Sequence, residues 1–184
     1  KISEVIILTS KNNSDNPIIK ICKSKKVKFY RGSLNNVAKR FYEVIKMKKT
    51  KSFMRICGDS PLIDHNLIDK AISKFDVKKY DILTNIFPRS YPKGQSIEII
   101  NSKIFQEIFL LFKNKNNKEH VTTYFYENFK KFKIYKLKNN INQSNINLSI
   151  DTIEDFNRMK KLLFYSNFNA ISYKAYVNNY KKLF

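Results

Sequence analysis

Two hydrophobic periods alternate along the first half of the chain. Residues 4–9 form an apolar run, as expected of a parallel strand covered on both faces. A helix is then predicted from Asp15 or Asn16, with Pro17 at its first position. Residues 27–30 read as a second strand. The Ser33 to Asn36 stretch opens a helix with Val37, Phe41, Val44 and Ile45 on one face. Residues 52–57 give a third strand, and Asp64 caps a helix carrying Leu67, Ile68, Ala71, Ile72 and Phe75. Residues 80–84 are the fourth. Residues 85–96, with Pro88, Pro92 and Gly94, predict a loop before a strand over 97–100.

The second half continues with a helix capped by Asn101 or Ser102 and a polar connector over 114–118. A helix opened by Glu119-His120 follows, then strands over 132–137 and 146–150. Thr152 and Asp155 resemble a capping box, with Asp in place of the usual Glu or Gln. A last helix is expected over 170–182. Strand and helix alternate without a repeat, so the class is α/β with a mainly parallel sheet in one domain over residues 1–184.

Composition narrows the picture. At 184 residues and 42% hydrophobic, the chain can bury a core, and no apolar run reaches a membrane span. The chain enters a strand pattern at once, without a signal peptide. Two cysteines, Cys22 and Cys57, make no disulfide framework, and a reduced, cytoplasmic setting is the simpler expectation. The formal charge of +21 invites a nucleic-acid reading. Against it, only five of the 36 basic residues are arginine, and the lysines are scattered. Lysine rises together with Asn, Ile, Phe and Tyr, which points to a compositional bias rather than a binding footprint.

Candidate chemistry centres on two acids. Asp59 sits just past the 52–57 strand, and Asp151 just past the 146–150 strand, each before a helix. Open α/β sheets bind ligands at such strand-to-helix turns. Two carboxylates there could hold Mg²⁺, an ion that prefers oxygen ligands shared with substrate phosphates. The competing reading makes Asp59 an Asx-turn and both acids helix caps. His120 is a cap, a packing residue, a ligand or an acid/base group; His65 is taken as a surface residue. Arg31-Gly32-Ser33 lies between strand and helix, where Gly32 would let an anion approach the backbone. No full glycine-rich phosphate loop is present: Gly32, Gly58 and Gly94 each stand alone.

Five segments, in order, resemble the cytidylyltransferases of spore-coat and surface polysaccharide synthesis. These are related to the synthetases that attach CMP to sialic acid-like sugars and to 3-deoxy-manno-octulosonate. The segments cover residues 29–42 (Phe29-Tyr-Arg-Gly-Ser at their start), Arg55-Ile-Cys-Gly-Asp-Ser-Pro-Leu-Ile-Asp64, Tyr91-Pro-Lys-Gly-Gln-Ser-Ile-Glu98, Glu119-His-Val-Thr122 and Leu148-Ser-Ile-Asp-Thr-Ile-Glu-Asp155.

The resemblance implies a three-layer α/β/α, Rossmann-like nucleotidyltransferase fold around a mixed, mostly parallel sheet. It implies transfer of CMP from CTP to a sugar or sugar acid, with release of pyrophosphate and with Mg²⁺ as cofactor. Asp59 and Asp151 would be the metal ligands, with Asp59 and Arg55 catalytic. Gly32, Arg55 and Gly58 would line the nucleotide, and Gln95, Glu98, Glu119 and His120 the acceptor. Relatives of this kind suggest a homodimer. Two departures stand out. Asn35 and Asn36 occupy positions that are usually acidic. The family's opening strand, mid-sheet, and its triphosphate-gripping loop have no counterpart here. The expectation is therefore an N-terminally incomplete domain with weak or no turnover by this chain alone. The alternative is a non-catalytic relative that binds a partner, or nucleic acid, through its basic surface.

Overall fold

The computed structural model describes residues 2–167 and 172–184. In chain order the elements are β1 (Ile6–Ser10), α1 (Asn16–Ser24), β2 (Lys28–Gly32), α2 (Val37–Lys48), β3 (Ser52–Arg55), α3 (His65–Lys74), β4 (Ile82–Thr84), β5 (Glu98–Asn101), α4 (Ser102–Phe109), α5 (Lys115–Glu119), α6 (Thr123–Glu127), β6 (Ile134–Lys136), α7 (Ile153–Tyr165) and α8 (Tyr173–Leu183). The expected start of the last helix, at Ala170, lies outside the described residues. Hydrogen bonds group the strands as β1–β2 and as β3–β5–β4–β6. β1 pairs with β2, and β4 with β6, in parallel. β5 runs against its neighbours: Ser102 N–H reaches Lys51 O beyond one end of β3, and Asn85 N–H reaches Ile97 O beyond β4. The architecture is α/β with mixed sheets. Among the described residues no helix is long and apolar enough to cross a membrane.

The chain divides into two compact units, residues 1–53 with 100–133, and residues 54–99 with 134–184. The first is built on aromatic contacts. Phe53 packs on Phe41 and Phe105, Tyr42 stacks on Phe109 at 4.4 Å between ring centroids, and Phe112 meets Tyr124. Of these rings Phe105 and Phe112 are buried, and Phe125 with them, whereas Phe129 stays exposed. Helix α2 starts at Asn36, whose side chain accepts from Lys39 N–H. It ends at Lys49, held in the left-handed region at φ 50° with its N–H on Ile45 O. A side chain is strained there and glycine is not. Lys49→Gly is therefore expected to raise stability by about 0.5–1 kcal/mol, after the looser unfolded chain is counted. Urea unfolding midpoints of the two proteins check this.

The second unit holds an aliphatic core around Leu67, Leu83, Ile97, Leu148, Met159 and Leu162, with the rings of Tyr91 and Tyr173 edge-to-face at 5.6 Å. Two expectations are corrected by hydrogen bonding. Residues 115–119 form a helix despite lacking an apolar face, because Asn114 caps them by accepting from Asn117 N–H. Residues 146–150 are not a full strand. They touch Lys93 through one parallel bridge, with Lys93 N–H on Ile146 O and Leu148 N–H on Lys93 O, both 2.9 Å. Gly94, at φ +83°, then turns the partner away.

Candidate active site

Past the end of β3, the chain turns through Cys57, Gly58, Asp59 and Ser60, with Ser60 N–H on Cys57 O. Burial is the main reason the Cys57 thiol is held above its usual pKa. Asp59 is exposed, and its carboxylate accepts from the Ser60 hydroxyl at 2.8 Å. It caps no helix: Asp64 caps α3, accepting from Asn66 N–H at 2.7 Å.

Asp151 is also exposed, and its carboxylate accepts from the Ser149 hydroxyl at 3.1 Å. The cap of α7 is Thr152, in a capping box with Asp155. Asp155 accepts from both Asp151 N–H and Thr152 N–H and pairs with Arg158. These bonds, the Asp151 amide first, hold its carboxyl below the ordinary carboxylate pKa. Local helix capping is thus done by Asp64, Thr152 and Asp155, and the carboxylates of Asp59 and Asp151 are left to face solvent. Ile150 N–H donates to Asp59 O at 2.9 Å, so the two turns are joined at the backbone, at Asp59 itself and one residue before Asp151.

Arg55 and Glu98 form an ion pair at 2.6 Å, their side chains 19% and 1% exposed. Glu98 therefore points into the protein, not toward an acceptor. Gln95 is likewise corrected: it is fully buried, its Oε1 accepting from Asp64 N–H at 3.0 Å and its Nε2 donating to Leu62 O at 2.7 Å. Both ends of its amide are engaged by backbone, out of reach of solvent. Gly58 is exposed, and a Cβ built there would meet nothing within 4 Å.

Gly32, Glu119 and His120 belong to the first unit. Gly32 is buried, and a Cβ there would come within 2.7 Å of the Arg40 side-chain stem, so packing alone accounts for glycine. Glu119 ends α5 rather than opening a helix, and His120 is the C-cap, its N–H on Asn116 O; both are exposed. The next helix begins only at Thr123. The expected cap role of Asp15 is corrected. Asp15 is not a side-chain cap of α1; it accepts instead from Thr9 Oγ1 at 2.5 Å and Ser10 N–H at 2.7 Å. These bonds, Thr9 foremost, hold its carboxyl far below the usual range. Arg31 braces the same loop by donating to Ser10 O and Asn12 O. A Thr-Ser pair at a strand end, with an acid five residues on, was the available signal.

A family profile described as cytidylyltransferase matches residues 1–182. An uncharacterized protein of Methanocaldococcus jannaschii is 33% identical over 158 residues, covering 85% of this chain and 64% of that protein. The spore coat polysaccharide biosynthesis protein SpsF of Bacillus subtilis is 28% identical over 163 residues, 86% of this chain and 66% of its own length. The chain thus spans just under two thirds of either relative. A cytidylyltransferase structure from Leptospira borgpetersenii superposes with a TM-score of 0.91 at 31% identity, over 97% of this chain and 76% of that one. The 4-diphosphocytidyl-2C-methyl-D-erythritol synthase of Anaerococcus prevotii shares the fold, with a TM-score of 0.59 at 18% identity, over 88% and 79% of the two chains.

Proposed function

We propose that this chain, which belongs to the cytidylyltransferase family, provides the acid pair for transfer of a cytidylyl group from CTP to a sugar or sugar acid used in surface glycans. The family match and the likeness to SpsF support the reaction class and the glycan role. One observation carries the assignment of residues: Asp59 and Asp151 lie in turns joined by the Ile150–Asp59 backbone bond, and neither carboxylate is engaged in capping.

In the proposed reaction an acceptor hydroxyl oxygen bonds to the α-phosphorus, and the bond from that phosphorus to the α,β-bridging oxygen breaks. Pyrophosphate leaves and the hydroxyl proton passes to solvent. Asp59 and Asp151 offer hard oxygen donors that suit Mg²⁺, and among the described residues no group of three or more His, Cys, Asp or Glu is set to hold an ion. The remaining ligands would then be phosphate and water oxygens, the set Mg²⁺ favours. Bound there, the ion would neutralise charge on the phosphates. The fixed Arg55–Glu98 pair holds the end of β3, from which the Asp59 turn departs.

In the full-length protein, Asp59→Asn and Asp151→Asn are each expected to lower pyrophosphate release by about 10²–10³-fold with CTP and an acceptor panel of sugar acids. Circular dichroism and melting should stay at wild-type values. Turnover retained in both variants would sink the assignment.

A further inference from the structure

We propose that Gln95 is a positioning residue, a side-chain clamp that fixes the turn bearing Asp59 and so sets where that carboxylate stands. This rests on the acid-pair reading above. The primary amide of Gln95 pairs with the backbone on both of its edges, accepting from Asp64 N–H at 3.0 Å and donating to Leu62 O at 2.7 Å. That two-bond match is the one the N–H and C=O of a single residue in a neighbouring strand would make, supplied here by a fully buried side chain.

Gln95 is itself fixed. Its carbonyl accepts from Asn85 Nδ2 at 2.6 Å, and the Oδ1 of Asn85 accepts from Ile97 N–H at 2.9 Å. The clamped residue Asp64 is also anchored, since its second carboxylate oxygen accepts from Tyr173 N–H, at the first turn of α8, at 2.9 Å. The turn is thus held at its 62–64 end by Gln95 and at its Asp59 end by Ile150 N–H. Buried amides with both edges paired are costly to leave half-satisfied, so loss of this clamp is felt in the turn it holds.

The test uses the full-length protein and Gln95→Glu. An ionised carboxylate can still accept from Asp64 N–H but has no proton for Leu62 O. Protonated, it regains a donor. Amide-exchange protection factors of Ile63, Asp64 and Ile150 are therefore expected to fall by about tenfold or more at pH 8 and to recover at pH 5, with Leu83 in β4 unchanged. Mn²⁺ affinity, read by electron paramagnetic resonance with Mn²⁺ alone and relative to wild type at each pH, should follow the same course. Gln95→Met removes both bonds without a charge, and should loosen the same amides at both pH values; it serves if the glutamate variant does not fold at pH 8. Unchanged protection of the turn in Gln95→Met, or loss without recovery at pH 5 in Gln95→Glu, overturns the clamp. Loosened amides with unaltered Mn²⁺ affinity overturn its link to Asp59. Asp59→Asn separates the two levels: if it leaves Mn²⁺ binding intact, the acid-pair reading fails and the metal arm of this proposal with it, while the protection factors still decide whether Gln95 holds the turn.

Discussion

Gly94→Ala is expected to destabilise the protein by about 3 kcal/mol or more. The residue sits at φ +83°, a conformation that costs an L side chain about 1–2 kcal/mol by itself. A Cβ there would stand 2.3 Å from Leu148 O, 2.4 Å from Leu148 C and 2.8 Å from Ser149 N. All three are backbone atoms, so no rotamer change relieves the overlap. The backbone cannot retreat cheaply either, because Lys93 exchanges hydrogen bonds with Ile146 and Leu148 on the same segment, and Leu148 is fully buried. Relief means pulling residues 146–149 off the 92–95 loop, which also moves Asp151 two positions on. Urea unfolding measures the loss, and an effect under about 1 kcal/mol would contradict so close an approach.

The second large effect is expected at the buried ion pair. Arg55→Met should cost about 3–5 kcal/mol, because it strips the guanidinium from a carboxylate that is 1% exposed. Part of that cost belongs to the charge left behind. Adding Glu98→Gln to Arg55→Met should therefore recover a good part of it, and the double-mutant cycle should show a coupling of about 1–3 kcal/mol. Losses that simply add would mean the two side chains do not act as a pair.

What could be read from the chain beforehand was what local physics encodes. The apolar faces of α2 and α3 are buried where their spacing put them, at Val44 and Ile45 and at Leu67 and Ala71. Caps were equally plain: Asp64, Asn101 and Thr152 bond to amides two or three residues away. Hidden features depend on partners distant in sequence. Helix α5 has no apolar stripe to announce it. Residues 146–150 have strand-like hydrophobicity, yet Gly94 cuts their pairing short. Gln95 is a polar residue in a loop, where exposure is the ordinary expectation, and its burial follows from carbonyl and amide groups more than thirty positions earlier. The likeness to known cytidylyltransferases placed it toward an acceptor for the same reason, since a motif gives order along the chain but not the direction of a side chain.

The bond from Ile150 N–H to Asp59 O ties together two loops 91 positions apart in the chain. One extra residue in either loop would displace the donor or acceptor by up to about 3.5 Å, beyond hydrogen-bond reach. Side-chain changes in either loop leave this backbone bond in place, whereas an insertion breaks it. An inserted residue, or a peptide tag spliced into this domain, belongs instead in an exposed connector such as residues 140–142.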